Sequence, residues 1–267
     1  MSRIIFDIGG TNMRVARAAG TTFEGEVKID TPQAPEEAFA TLAKLVESAA
    51  DSDGVEVIAG GVAGVVNAEG DVIASPNLSA WQGMRLGERL AERFSVPVHI
   101  ENDASMAALG EAQYGAGKGA GIVAYLGVGT GVGGARVVDG ALDRRAQGFE
   151  PGHQIVDAAS GGTLESLVGG GALGFRYGMA PASLPRSAYD AALPALAAGV
   201  WNAIVLWSPD VVVLGGSLMS EENGFRVADV KNEVEKVRRV LPALPRIARA
   251  ALGDASGLYG ALARLGN

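Results

Sequence analysis

The sequence predicts an α/β protein whose second half restarts the pattern of its first. Three observations carry this. Short β-branched runs alternate with helical stretches, a glycine turn between two strands occurs once in each half, and 267 residues at 48% hydrophobic suffice to bury a full core. The length suits one large domain or two modest ones.

The opening reads as a meander of strands over Arg3 to Ile8, Met13 to Ala18 and Thr22 to Ile29, punctuated by Gly9-Gly10 and Gly20. Pro35-Glu36-Glu37 then starts an alanine-rich helix to about Ala50, with proline in the first turn and acids at the positive helix end. Val55 to Gly61 is the next strand. Leu86 to Phe94 has apolar residues at helical spacing, and Val96 to Ile100 reads as a short buried strand. Asp103 to Tyr114 is a helix with small residues on its inward face, and Gly115 to Gly121 is a connector near a domain boundary.

The second half repeats the opening. Ile122 to Val128 is a strand, a glycine cluster turns, and Ala135 to Val138 is a strand closed by the hairpin signal Asp139-Gly140. Helical stretches follow from Ser187 to Ser208 and Arg226 to Val240, with the buried strand Val211 to Leu214 between them and a last helix over Gly257 to Leu265.

Composition narrows the function. A formal charge of -8 gives no basic stripe for phosphate-rich nucleic acid, so a small ligand is expected. Without cysteine the chain has no disulfide, thiolate metal site or cysteine nucleophile, which fits a reducing compartment. The apolar run Ile4-Ile5-Phe6 is too short for a signal-peptide core, so export is not expected and the cytoplasm is. No charge falls between Ala191 and Pro209, about the ~20 residues that span a bilayer, but Pro194 and Asn202 interrupt the stretch and a buried helix is expected there.

Asp7-Ile8-Gly9-Gly10-Thr11-Asn12 lies between two strands, where glycines let backbone N–H groups approach an anion while taking positive φ. Asp7 at the strand end is placed to hold Mg2+ through water. Gly127-Val128-Gly129-Thr130-Gly131-Val132-Gly133-Gly134 makes a second such turn. By letters Gly129, Gly131 and Gly134 satisfy the dinucleotide fingerprint, but that pattern needs a helix next, and here a strand continues. Gly117-Lys118-Gly119 is not a P-loop, because no Ser or Thr follows the lysine. Each cluster alone could be a tight hairpin; two, each after a core strand, point to a clamp on a polyphosphate.

Glu101-Asn102-Asp103 follows an apolar strand and opens a helix, which puts Asp103 near a helix N-cap at the carboxyl end of the sheet. It either caps the helix or takes a hydroxyl proton as general base in phosphoryl transfer. Glu150-Pro151-Gly152-His153 and Glu165 form another polar set, followed by Gly169-Gly170-Gly171. Of the two histidines, His99 lies in an apolar strand and reads as a core residue; His153 follows a glycine near an acid, a site with room for a ligand.

Taken together, the Asp7 to Asn12 turn, Pro76-Asn77-Leu78 with Trp81, Glu101-Asn102-Asp103-Ala104, Gly127 to Gly134, Gly152-His153, Leu164-Glu165 and Leu214-Gly215-Gly216 resemble, in order, the motifs of the ROK family of bacterial sugar kinases. The likeness covers nearly the whole chain. It implies two α/β domains of the ribonuclease-H-like, actin-like ATPase fold with a cleft between them: a small domain at 1–116, with a C-terminal helix at about 254–267 packing back on it, and a larger one at 117–253. The resemblance also implies ATP-dependent phosphorylation of a hexose, glucose first, at the 6-hydroxyl. By similarity Asp103 is the catalytic base. Asn77, Asn102, Asp103, Glu150, His153 and Glu165 bind the sugar. Asp7, Gly9, Gly10, Thr11 and Asn12, with Gly129, Thr130 and Gly131, handle phosphates and Mg2+, and Gly215 and Gly216 lie near the adenosine.

The family's zinc site uses the Gly-His histidine and three cysteines, which this chain lacks. Thr163 stands where the last cysteine falls, and the stretch from His153 to Glu165 is shorter than the family pattern, so no structural zinc is expected. Family repressors carry a helix-turn-helix before the kinase part. Here the first turn begins by residue 7, so DNA binding is not expected. A homodimer is expected on family grounds alone. Fructose, mannose or an N-acetylhexosamine as acceptor, polyphosphate as donor, and a non-catalytic sugar sensor on the same fold remain alternatives.

Overall fold

The computed structural model describes residues 1–143, 145 and 148–266. The chain forms two compact units, one of Met1–Gln113 with the chain from Ala255 onward, the other of Tyr114–Arg145 with Phe149–Asp254.

In the first unit, β1 (Ser2–Ile8), β2 (Asn12–Ala19) and β3 (Thr22–Asp30) form an antiparallel meander. The helix α1 (Pro35–Ala49) follows and turns Ala38, Leu42, Ala43 and Val46 inward. β4 (Val55–Val62) returns parallel to β1, the ribbon β5 (Val65–Val66) and β6 (Val72–Ala74) precedes a 3₁₀ turn over Pro76–Trp81, and α2 (Leu86–Phe94) leads into β7 (Val98–Asn102), parallel to β4. The sheet order is β3-β2-β1-β4-β7. α3 (Asp103–Gln113) leaves the carboxyl end of β7. Phe6, Ile58, Leu42 and Trp81 sit in one buried cluster.

In the second unit, β8 (Ile122–Val128) and β9 (Val132–Val138) pair antiparallel, and Asp139-Gly140, both at positive φ, turn into β10 (Ala141–Leu142). A 3₁₀ turn at Pro151–His153 precedes the ribbon β11 (Ile155–Asp157) and β12 (Gly162–Thr163), then α4 (Leu164–Val168), α5 (Gly170–Tyr177) and α6 (Arg186–Trp207). β13 (Val211–Gly215), α7 (Val227–Val237) and β14 (Arg246–Arg249) complete a sheet of order β10-β9-β8-β13-β14. Its core gathers Leu126, Val128, Leu164, Leu196, Val212 and Phe225.

Each sheet thus has a hairpin whose first strand pairs parallel with a later strand, β1 with β4 and β8 with β13. The second-half restart is this repeated topology. The last helix, α8 (Ser256–Gly266), packs on α3 in the first unit, where Gly110 meets the Ser256 carbonyl and Gly260 meets the Met106 carbonyl with no room for a side chain.

The chain divides at Gln113/Tyr114, beside the glycine connector. Two expectations need correction. The stretch expected as a buried helix is α6, long and apolar enough to cross a membrane, and only 39% of its apolar window is buried. Its Leu196, Val200 and Ile204 enter the core while Val205 and Leu206 stay exposed. The phosphate-turn glycines Gly9, Gly10, Gly129 and Gly131 do not take positive φ. For Gly10 and Gly131 the reason for glycine is instead close approach by another side chain, described below. β14 escaped sequence reading because Arg246-Ile247-Ala248-Arg249 holds one β-branched residue between two arginines.

Candidate active site

The residues singled out by sequence fall into two sets, one in each unit.

In the first unit, Asp7 stands at the carboxyl end of β1, in register with Gly61 of β4. Its carboxylate lies against Gly257 in the first turn of α8, where a Cβ would come within 2.6 Å of Asp7 Cγ. The turn Gly9 to Asn12 is closed by Gly9 N–H donating to the Asn12 carbonyl at 2.9 Å. Thr31 braces it from outside, its N–H donating to the Thr11 carbonyl and its hydroxyl to the Gly9 carbonyl, both at 2.8 Å. A Cβ on Gly10 would sit 2.8 Å from Asn77 Cβ, so Asn77 rests directly on the turn.

Asn102, the last residue of β7, is the cap of α3: its Oδ1 accepts the Ser105 N–H at 3.0 Å. Its Nδ2 donates to the Gly64 carbonyl at 2.9 Å and to Asp103 Oδ1 at 3.1 Å, and Asp103 Oδ1 also accepts the Ala104 N–H at 2.8 Å. Asp103 is therefore the first helical residue, held by its neighbour, and not the cap that local sequence suggested. Gly61 gives it room, since a Cβ there would be 3.2 Å from Asp103 Cα.

Sequence reading missed what ties these residues together, the bend at Ala63-Gly64. Ala63 N–H donates to the Ile8 carbonyl at 2.7 Å, and the Ala63 carbonyl accepts the Ser75 hydroxyl at 2.7 Å. Ser75 in turn caps the 3₁₀ turn that carries Asn77, accepting Leu78 N–H at 3.2 Å. Gly64, at φ 120°, lends its carbonyl to Asn102. Ser75 before Pro76 was the readable signal for that cap.

In the second unit, the carbonyls of the turn Gly129 to Gly131 are all taken: Gly129 O by Gly170 N–H at 2.8 Å, Thr130 O by Gly171 N–H at 2.9 Å, and Gly131 O by Gly129 N–H at 2.9 Å. Glu165 leans on this turn. Its Oε2 accepts Val132 N–H at 2.7 Å, and a Cβ on Gly131 would overlap its carboxylate. Thr163 fixes Glu165 in the first turn of α4 through a capping box with Ser166.

Glu150 and His153 flank the buried pair Pro151-Gly152, and both are exposed. Gly152 lies against the Val132 carbonyl with no space for a side chain. Although the Glu150 side chain reaches solvent, the protein around its carboxyl partly desolvates it and raises its pKa; the nearby His153 opposes this and Glu165 adds to it, so these three groups share one electrostatic neighbourhood. Between His153 and Glu165 the chain is the β11–β12 ribbon, its turn held by Asp157 Oδ1 accepting Ala159 N–H at 3.0 Å and Oδ2 accepting the Ser160 hydroxyl at 2.5 Å. Among the described residues, no group of three or more His, Asp or Glu could hold a metal ion.

Gly215 and Gly216 end β13. Gly215 faces the Tyr125 hydroxyl, and Gly216, at φ 90°, packs on the Val128 carbonyl, which accepts Leu218 N–H at 3.0 Å. Both positions exclude a side chain.

This succession of features is matched by a known family. A sequence model described as "ROK family" fits residues 3–265. The chain belongs to the ROK family. Among ROK relatives, it is 30% identical over 302 residues to an N-acetylgalactosamine kinase of Shewanella sp. (strain ANA-3), covering 96% of this chain and 94% of that protein. It is 37% identical over 144 residues to a glucokinase of Streptomyces coelicolor, covering 52% of this chain and 44% of that protein. The crystal structure of a ROK hexokinase from Thermus thermophilus matches with a TM-score of 0.81 at 26% identity, over 98% of this chain and 97% of that one. The fold is that of the ROK sugar kinases, within the actin-like ATPases.

Proposed function

We propose that this ROK protein transfers the γ-phosphoryl group of ATP to the 6-hydroxyl of a hexose, with glucose the first acceptor to test. The observation that carries the reading is the anchored Asp103 carboxylate, oriented by Asn102 and Ala104 at the carboxyl end of the parallel strands β1, β4 and β7, where α/β ligands bind.

In this reading Asp103 accepts the proton of the sugar hydroxyl as the oxygen bonds to the γ-phosphorus. The bond from that phosphorus to the β–γ bridging oxygen breaks, and ADP leaves. Asn77, Asn102, Glu150, His153 and Glu165 orient the sugar. Both Asn102 N–H bonds are already spent on Gly64 and Asp103, so it offers the sugar an acceptor lone pair only. Asp7, Gly9, Gly10, Thr11 and Asn12, with Gly129, Thr130 and Gly131, serve the phosphates, and Gly215 and Gly216 the adenosine.

Among the described residues no group of three or more His, Asp or Glu could hold an ion, so one beside Asp7 would be carried mainly by phosphate oxygens and water, which is how Mg2+ is usually held. When bound there, Mg2+ would neutralise phosphate charge. The His153–Glu165 stretch is read as metal-free, its shape set by Asp157 and by the Thr163 cap. We read the protein as cytoplasmic and as a homodimer, the latter on its family resemblance.

The reading is tested by ADP release with Mg-ATP against glucose, fructose, mannose and N-acetylhexosamines, with polyphosphate as a second donor. Turnover on one sugar names the acceptor, and the similarity to an N-acetylgalactosamine kinase over 96% of the chain makes the N-acetylated sugars the next to try. Sugar binding without turnover on any donor would replace the kinase with a sensor.

A further inference from the structure

We infer that Ser217 is a phosphate-contacting residue of the donor site, completing with the Gly129 to Gly131 turn a cradle whose backbone carbonyls are engaged and whose donors are open. The inference rests on the donor-site reading above and adds a residue to it.

The carbonyls of Gly129, Thr130 and Gly131 each already accept a backbone N–H from Gly170, Gly171 and Gly129 respectively. Among the described residues, neither the N–H groups of Thr130 and Gly131 nor the Thr130 hydroxyl has a hydrogen-bond partner, and Thr130 is exposed. A turn with its acceptors engaged and its donors open favours an anion.

Ser217 joins this turn from a second loop. Among the described residues, and apart from its chain neighbours, the atoms within 4 Å of a Cβ built on Gly129 are Ser217 Oγ, at 3.6 Å, and Ser217 N, at 4.0 Å. Ser217 is exposed, and among the described residues neither its hydroxyl nor its N–H has a partner. The loop is held in place on both sides of Ser217: Gly216 packs on the Val128 carbonyl at φ 90°, and Leu218 N–H donates to that carbonyl at 3.0 Å. Two open donors, fixed beside an anion-favouring turn without a protein acceptor, suit a phosphoanhydride chain, whether of a nucleoside triphosphate or of an inorganic polyphosphate.

The test is calorimetric binding of Mg-AMPPNP and of Mg-tripolyphosphate to wild type, Ser217→Ala, Ser217→Gly and Ser217→Thr, beside KM values for donor and sugar. Loss of one hydroxyl bond to a charged phosphate predicts a Kd about tenfold weaker in the Ala and Gly variants, for whichever probe the wild type binds. The sugar KM and the melting temperature should stay at wild-type values, and Ser217→Thr should restore donor binding. Donor affinity within twofold of wild type in both removal variants, a parallel rise in sugar KM, or no rescue by threonine would overturn the role of Ser217 while leaving the donor site standing. A wild-type protein that binds neither probe would overturn the donor-site reading and this inference together.

Discussion

Glu165 Oε2 accepts the Val132 backbone N–H at 2.7 Å while its carboxylate fills the space over Gly131. One side chain of the proposed sugar set thus braces the proposed phosphate turn. Glu165→Ala should therefore raise the KM for sugar and for ATP together, each by about tenfold, since it leaves Val132 N–H without its charged acceptor. Glu165→Gln keeps a carbonyl for that N–H and should spare the ATP KM more than the sugar KM. Gly131→Ala pushes on the same carboxylate from the other side. Its effect should be less than additive with Glu165→Ala in a double-mutant cycle of kcat/KM. Independent, additive losses would show that the contact does not matter to function.

Asp103→Asn keeps the shape and the Ala104 contact but cannot take a proton. A general base contributes about 10²- to 10⁴-fold, so kcat should fall by that factor while the sugar Kd, measured by titration, changes little. Asn102→Ala should lower kcat too, but for a different reason. It removes the α3 cap and the donor to Asp103, and cap loss alone costs about 1 kcal/mol, a drop of roughly 2–4 °C in melting temperature. Separating the two variants by stability distinguishes a chemical residue from a positioning one.

Much of the fold was legible because its signals are local and periodic: β1 to β3, α1, α2, α6 and β8 fall within a residue or two of their expected spans. The motifs placed the site residues on turns and helix starts for the same reason. What stayed hidden depends on contacts remote in sequence. Asn102 and Asp103 are adjacent and both good caps, and only the Ser105 bond decides between them. Glycine at 10 and 131 reads identically whether it serves φ or space, and the neighbours that settle it, Asn77 and Glu165, lie 67 and 34 residues away. The Ala63-Gly64 bend, bonded to Ile8, Ser75 and Asn102, has no motif of its own.

Glu150 should give the protein a pH signature. Partial desolvation by the surrounding protein holds its carboxyl above a glutamate's ordinary value, against the pull of His153 and with the push of Glu165. The folded state therefore favours the protonated form. This stability is fully present below the ordinary value and is lost as pH rises through the raised one. Glu150→Gln stays neutral throughout, so its melting temperature should match wild type near about pH 4 and exceed it progressively toward about pH 7, while its sugar KM rises. A constant offset across that range would mean the carboxyl is not strained by its surroundings.

His99 should act in the opposite sense, and in the other unit. It is half-buried in β7, and burial, then the Arg264 charge on α8, lowers its pKa. The fold favours neutral imidazole, so the stability it supports is present above histidine's ordinary value and is lost as pH falls through the lowered one. His99→Gln cannot take up the proton. Its urea midpoint relative to wild type should therefore improve steadily from about pH 7.5 to about pH 5. Arg264→Ala removes the like charge and should recover part of that acid loss with His99 in place, and none of it in the His99→Gln background. An equal gain in both backgrounds would place the effect of Arg264 elsewhere on the protein and leave His99 to be governed by burial alone.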